Sequence, residues 1–459
     1  MKIQEINAPL DSFELFTLFK DDFYSFFLDS GRDHQNMGRY SFIGSNPFMI
    51  FSSKDNVVKI EEQGKEKVSR GNPFHMLREL LNQYKFHYDT PFPFIGGAVG
   101  FFSYDLCHHI EKLPRTAIDD TNIPDCYLGF YDGIIIIDHL KSKCFISALG
   151  IKEKEDIVIK RIVDRIETRN VMNIKLSQGE NRHLVFEGNF TKEKYMDALD
   201  RIHQYIQDGD IYQTNLTQRF QCDLQIAPIE LYHNLRSINP APFASYIDFG
   251  EGQIVSSSPE RFLKISDRKI ETRPIKGTMP RGKTKEEDEK YRNELINSEK
   301  DKAELLMIVD LERNDLGKIS KPGTIEVPEL FKLEEYETVF HLVSTVTGEL
   351  KDDVDVVDCI TATFPGGSIT GAPKIRAMEI IDEVEPTQRN IYTGSIGYIG
   401  YNGDLDLNIV IRTIVCKDSK GYFGVGGGIV WDSDNQLEYE ETFHKGKALM
   451  EALKRTDEG

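Results

Sequence analysis

Apolar runs of strand length recur along the whole chain, each closed by a turn signal. Asn402-Gly403 separates residues 395–400 from 405–415, and an Asn-Gly pair between such runs is a hairpin signal. Residues 127–137 and 144–149, joined across 138–143, read as a second hairpin. Residues 41–52, 56–61, 323–333 and 339–350 are also strand-like. The run Phe94-Ile95-Gly96-Gly97-Ala98-Val99-Gly100-Phe101-Phe102 suits tightly packed buried strands, since it matches neither GxGxxG nor GxxxxGK(S/T). Helical spacing is collected between these runs, over residues 74–84, 152–169, 300–315 and 354–364, and from Leu437 on. Tyr195, Ala198, Leu199, Ile202, Tyr205 and Ile206 form one stripe with Gly209 as its stop, and Ser298 is positioned as an N-cap. Many strands with short connections predict an α+β fold with antiparallel sheets.

Composition narrows the class. The chain has 459 residues, enough for one large or two ordinary domains, and 39% hydrophobic and 29% charged residues are ordinary for a globular protein. Residues 1–150 and 190–455 are expected to be two regions, interleaved in one two-lobed unit, with 151–189 as the linker. A net charge of −19 argues against nucleic-acid binding, which needs a basic surface. The longest pure aliphatic run, 134–137, is too short to span a bilayer, and no signal-peptide core precedes it. Cys107, Cys126, Cys144, Cys222, Cys359 and Cys416 contain no CxxC pair, which fits reduced thiols and a cytoplasmic location.

Several residues carry possible chemistry. Lys276, in Arg273-Pro274-Ile275-Lys276-Gly277-Thr278, is presented between a rigid proline and a permissive glycine. It reads as a surface charge, an anion anchor or, once deprotonated, a nucleophile. Gln213, Asn215 and Thr217 share one strand face, turned to water or lining a wet cavity. Glu438, Glu441 and Lys445 share one face of the last helix, as Asp301 and Glu304 share one of an earlier helix. These are either solvated faces or two helices that together hold Mg²⁺ through oxygen ligands. His341, among Phe340, Leu342 and Val343, reads as a core residue. Arg412, inside an apparent strand, needs a partner, most naturally a carboxylate. In Phe364-Pro365-Gly366-Gly367-Ser368-Ile369-Thr370-Gly371-Ala372-Pro373-Lys374, backbone N–H groups before a helix start make an anion site, with Pro373 near N1.

That loop, with Ile308-Val309-Asp310-Leu311-Glu312-Arg313-Asn314-Asp315, Gly426-Gly427-Gly428-Ile429-Val430 and Glu440-Glu441-Thr442, resembles the chorismate-utilising enzymes from about residue 190 to the C-terminus. Phe27-Leu28-Asp29-Ser30 and Gly38-Arg39-Tyr40-Ser41-Phe42-Ile43-Gly44 are similar to the N-terminal third of the anthranilate synthase and aminodeoxychorismate synthase large chains. The resemblance implies two large antiparallel sheets packed as a sandwich, helices outside, and a site in a cleft. It implies chorismate's carboxylate on Mg²⁺ held by Glu304 and Glu441, with Asp301 and Glu438 in support. Gln213, His341, Thr370, Gly371, Tyr398, Arg412, Lys445 and the backbone of Gly426, Gly427 and Gly428 would meet the other substrate groups.

Two positions separate the reactions within the family. Members that add water carry a lysine where this chain has Gln213, so the resemblance implies use of ammonia. Lys276 stands where anthranilate synthases usually have a small residue, which implies 4-amino-4-deoxychorismate as product, with Glu260 as general acid. Ammonia would come from a separate glutamine amidotransferase subunit, and a separate PLP lyase would act afterwards, because the chain shows neither region. The alternatives are anthranilate synthesis and a non-catalytic chorismate-binding regulatory subunit. Asn239-Pro240-Ala241-Pro242-Phe243 departs from the pattern of tryptophan-inhibited relatives. An amino-acid pocket at Ser30, Asn239 and Pro240 is still an expectation.

Overall fold

A computed structural model describes residues 1–8, 10–31, 37–168, 183–336 and 339–455. Its strands form two large antiparallel sheets. The first runs in the order Lys2–Ile6, Lys143–Ala148, Gly133–Asp138, Tyr40–Gly44, Phe26–Asp29, Phe243–Asp248, Gln253–Ser258, Thr413–Lys417, Lys420–Ile429, Gln213–Asp223 and Glu187–Gly188. The second runs Ile275–Pro280, Val339–Glu349, Lys269–Arg273, Arg261–Ser266, Leu405–Asn408, Ser395–Gly400, Gly97–Phe102, Cys126–Tyr131, Met49–Lys54, Val57–Glu62 and Lys65–Arg70. Each sheet takes strands from both ends of the sequence. Part of the expected linker, residues 169–182, lies outside the described residues, and 155–167 within it forms a helix against Lys143–Ala148.

The period of two divides side chains between cores. Phe26, Phe42, Ile134, Ile136 and Ile254 join the core shared by both sheets, whereas their neighbours Phe27, Ile43, Ile135 and Val255 join a second core. That second core is closed by helices through Phe16, Leu231, Tyr232, Leu449 and Leu453. All six cysteines are free and buried. Among the described residues no helix is long and apolar enough to cross a membrane.

Three runs that read as single strands are each two. Residues 41–52 divide into Tyr40–Gly44 and Met49–Lys54, residues 127–137 into Cys126–Tyr131 and Gly133–Asp138, and residues 405–415 into Leu405–Asn408 and Thr413–Lys417. In every case the halves belong to different sheets. Periodicity reports a buried extended chain but not the point at which it leaves one sheet for the other. Pro373 also differs from expectation: it is the N-cap of helix Lys374–Val384 rather than its first residue. Ser298 caps helix Glu299–Ile319, accepting from Asp301 N–H, as its position predicts.

Candidate active site

Two crossings between the sheets lie side by side and build the first part of the site. Chain leaves Gln253–Ser258 for Arg261–Ser266 through Glu260, and returns from Leu405–Asn408 to Thr413–Lys417 through Arg412. A crossing leaves backbone groups without ladder partners, and here the two satisfy each other. Ser257 N–H donates to the Arg412 carbonyl at 3.0 Å, and Ile409 N–H to the Glu260 carbonyl at 3.0 Å. The Ser258 hydroxyl donates to the Ile409 carbonyl at 2.6 Å. Arg412 has a φ of 51° at the return, so it is not a strand residue as expected. Glu260 is buried and accepts from Ile275 N–H at 3.4 Å. Burial pushes its carboxyl up to about 7, although the Ser368 hydroxyl, Ile275 N–H, Lys276 and Arg412 all favour the anion.

Lys276 follows directly. It lies on Ile275–Pro280, whose register against Val339–Glu349 shifts between Lys276 and Thr278. The bulge needs Gly277, at a φ of 78° with a would-be Cβ 2.7 Å from Leu295 and 3.0 Å from Asp301. Lys276 Nζ lies 3.7 Å from Glu304 Oε2, with both side chains mostly buried. Burial pulls the lysine's pKa down and Lys445 adds to this, while Glu304, Glu260 and Glu441 oppose it. Glycines of Lys420–Ile429 keep the space in front of Lys276 open. A Cβ at Gly428 would stand 2.4 Å from Gln213 Nε2, 3.1 Å from Asn215 Oδ1 and 3.1 Å from Lys276 Nζ. Gly428→Ala is therefore expected to lower turnover by about 10²-fold through misplacement of these three groups, with little loss of stability; steady-state kinetics and thermal melting check both.

The last helix, Asn435–Lys454, closes the other side. Lys445 Nζ binds Glu441 Oε1 at 2.7 Å and the Gly426 carbonyl at 2.9 Å. Burial would raise Glu441, but Lys445, Lys300 and Lys276 hold its carboxyl below the usual range. Glu438, which accepts from the Ser433 hydroxyl at 2.7 Å, moves up instead, through burial and the neighbouring Glu441. Glu304 and Glu441 thus both act on Lys276 from two different helices, Glu304 on Glu299–Ile319 and Glu441 on Asn435–Lys454. Among the described residues no group of three or more His, Cys, Asp and Glu side chains is arranged to hold a metal. Were Mg²⁺ bound by Glu304 and Glu441, water and substrate oxygens would fill the rest of its octahedron.

Other expected residues fall differently. Gly427 opens toward Glu438 Oε2 and Lys445 Nζ, each 3.3 Å from a would-be Cβ. Gly426 faces the Leu216 carbonyl instead, and Gly371 packs on the Gln213 carbonyl, so both are glycine for close packing. The Thr370 hydroxyl donates into its own loop, to the Gly366 carbonyl at 3.0 Å. His341 is buried and pairs with the Thr278 hydroxyl at 2.8 Å, two residues beyond Lys276. Tyr398 is a correction: it stacks on Phe94 at 4.3 Å and lines a separate cavity of about 1210 Å³. The tyrosine under the glycine strand is Tyr392, whose ring occupies the space a side chain at Gly424 would fill. Ser30 lines the separate cavity, together with Pro242 and Phe243. Asn239 and Pro240 do not line it; Asn239 binds the Ser257 hydroxyl, and Pro240 packs against Gly31.

Sequence reasoning missed the brackets around Ser368. Asn215 Nδ2 donates to the Ser368 carbonyl at 3.1 Å, Glu312 Oε1 accepts from Gly367 N–H at 3.1 Å, and Arg389 Nη1 donates to the Ile369 carbonyl at 3.0 Å. Arg389 also donates to the Asn215 carbonyl at 2.9 Å and to Glu385 at 2.7 Å. Lys374 binds Asp315 and, at 2.7 Å, the Pro365 carbonyl. Asn215 stood on the polar strand face and Glu312, Ser368 and Lys374 within the family motifs, but their contacts had no sequence signal beyond the spacing of Glu385 and Arg389 by four residues, which is common on surfaces.

A buried lysine, a buried carboxyl of raised pKa and carboxylates from two helices converge here, as in the active site of an enzyme. The chain belongs to the chorismate binding enzymes, whose family model matches residues 23–451. It is 40% identical over 429 residues to the aminodeoxychorismate synthase component 1 of Bacillus subtilis (strain 168), covering 92% of this chain and 90% of that one. It is 39% identical over 469 residues to the anthranilate synthase component 1 of Acetivibrio thermocellus, covering 99% and 95%. The crystal structure of anthranilate synthase component I from Streptococcus pneumoniae TIGR4 matches with a TM-score of 0.81 at 32% identity, covering 90% of this chain and 92% of that one. The chain is accordingly a chorismate-utilising enzyme.

Proposed function

We propose that this enzyme converts chorismate and ammonia to 4-amino-4-deoxychorismate through a covalent adduct of Lys276. The observation that carries the reading is Lys276 Nζ itself, buried at the point where Gln213, Asn215 and Glu304 converge, with its pKa lowered. A neutral amine is the form that attacks carbon. Nζ forms a bond to C2 of chorismate, the two ring double bonds shift, and the C4–O bond breaks. Glu260, whose carboxyl burial pushes up to about 7, gives its proton to the departing hydroxyl, which leaves as water. Ammonia then bonds to C4, the double bonds shift back, and the C2–N bond breaks to release Lys276. The proton shed by the new amine returns to the Glu260 carboxylate. The sum is chorismate plus ammonia giving aminodeoxychorismate plus water, with retention at C4.

Glu304 and Glu441 would hold Mg²⁺, with Asp301 and Glu438 in support. The ion would supply a positive anchor for a substrate carboxylate in a protein of net charge −19. Ammonia is expected from a separate glutamine amidotransferase subunit, and the lyase step from a separate PLP enzyme. Six free, buried cysteines suit a cytoplasmic protein.

Purified enzyme with chorismate, Mg²⁺ and ammonia tests the reading. Formation of aminodeoxychorismate, seen with an added lyase, is the expected result; fluorescent anthranilate would overturn it. The pH profile of kcat has a predicted shape. Loss of the Glu260 proton near 7 should depress kcat on the alkaline side. Glu260→Gln should remove the alkaline limb and lower kcat by about 10²- to 10⁴-fold.

A further inference from the structure

Glu312 lies on helix Glu299–Ile319, two turns beyond Glu304, and its carboxyl is buried. It does not face Lys276. Its Oε1 accepts from Gly367 N–H at 3.1 Å, and a Cβ at Gly367 would stand 3.0 Å from the same oxygen. The next residue, Ser368, has its hydroxyl beside the Glu260 carboxyl, where it favours the anion, and its carbonyl accepts from Asn215. Two buried carboxyls are therefore joined through two consecutive loop residues, and burial raises both toward about 7. The charges around Glu312 are Lys374, Asp315 and Glu260, and those around Glu260 are Lys276 and Arg412.

Burying a carboxyl is costly unless it holds something in place. Lys374 has Asp315 and the Thr363 and Pro365 carbonyls as partners, so it does not depend on Glu312. The N–H of Gly367 depends on it: among the described residues Glu312 is the acceptor this donor has. We propose that Glu312 is a positioning residue for proton transfer, fixing Gly367 so that the Ser368 hydroxyl is held against Glu260. The proposal rests on the assignment of Glu260 as general acid.

The test follows chorismate consumption with ammonia in four variants: Glu312→Gln, Glu312→Met, Ser368→Ala, and Glu312→Met combined with Ser368→Ala. The amide oxygen of Gln still accepts from Gly367 N–H, whereas Met fills the space and accepts nothing. Glu312→Met should lower kcat by about 10²-fold with KM changed less than about threefold, and Glu312→Gln should restore kcat to within about fivefold of wild type. Ser368→Ala should match Glu312→Met, and the double variant should be no slower than either single one, because both losses act through one hydroxyl. Multiplying losses in the double variant, or a Gln variant as slow as Met, overturns the proposal. Should Glu312→Met not fold, the contrast between Gln and Ser368→Ala decides: Ser368→Ala at wild-type kcat overturns it. Product identity is read separately, so an anthranilate-forming enzyme would refute the product assignment and leave the role of Glu312 standing.

Discussion

Lys276→Ala is expected to abolish aminodeoxychorismate formation, lowering kcat by at least about 10³-fold while chorismate still binds. The lysine is surrounded by groups that would be left in place, namely Gln213, Asn215, Glu304 and the open face at Gly428. Loss of the nucleophile therefore should leave KM near its original value, since the anchoring groups are on other elements. Rapid-quench kinetics with mass spectrometry of the intact protein supplies the decisive reading. Wild-type enzyme given chorismate without ammonia should gain the mass of chorismate less water on Lys276, and Lys276→Ala should not. An alanine variant that makes aminodeoxychorismate at the original rate would refute the covalent route. Lys276→Arg should be as inactive as alanine, because a guanidinium stays charged and cannot attack.

The second large effect is on stability. Arg389→Met is expected to destabilise the fold by about 3–5 kcal/mol, since it leaves Glu385 buried without its cation. Both side chains of this pair are almost completely buried, and Glu385 Oε1 also accepts from Thr217 N–H at 3.0 Å and its hydroxyl at 2.9 Å. Arg389 spends its other donors on the Ile369 and Asn215 carbonyls. The substitution should accordingly loosen both the Ser368 loop and the strand that carries Gln213. Urea denaturation measures the first consequence, and kcat at a temperature where the variant is folded measures the second. Combining Arg389→Met with Glu385→Gln should recover part of the lost stability, because no unpaired charge is then buried. If the single variant melts with wild type, Arg389 is not the clamp described here.

The elements themselves were legible. Short extended runs with Asn-Gly and glycine punctuation gave antiparallel sheets, and capped amphipathic stripes gave helices close to their observed bounds. Ser298 is the clearest case, since a serine before an acidic first turn is read locally and caps locally. What failed were the runs 41–52, 127–137 and 405–415, each continuous in hydrophobicity and divided between two sheets. A strand buried on both sides gives the same pattern whether or not it changes sheet midway. The misplacement of Arg412 on a strand follows directly from this.

Within the site, the residues proposed to carry the chemistry were visible: Lys276, Glu260, Glu304, Glu441, Lys445 and the Gly427-Gly428 pair. The contacts that surround these residues were not. Glu312, Ser368, Glu385 and Arg389 are ordinary polar letters until the fold buries them. Tyr398 and Tyr392 show the same limit, as two tyrosines six positions apart of which the strand path sends one to the second cavity and the other beneath Gly424. The order of hydrophobic and turn residues determined that this chain makes two antiparallel sheets, and the family motifs determined that it handles chorismate. Tertiary structure decided where the chain crosses between those sheets, because only long-range strand pairing fixes that. The crossings bring Glu260 to Lys276 and Arg412 to Glu260, and burial there moves the glutamate's pKa up and the lysine's down.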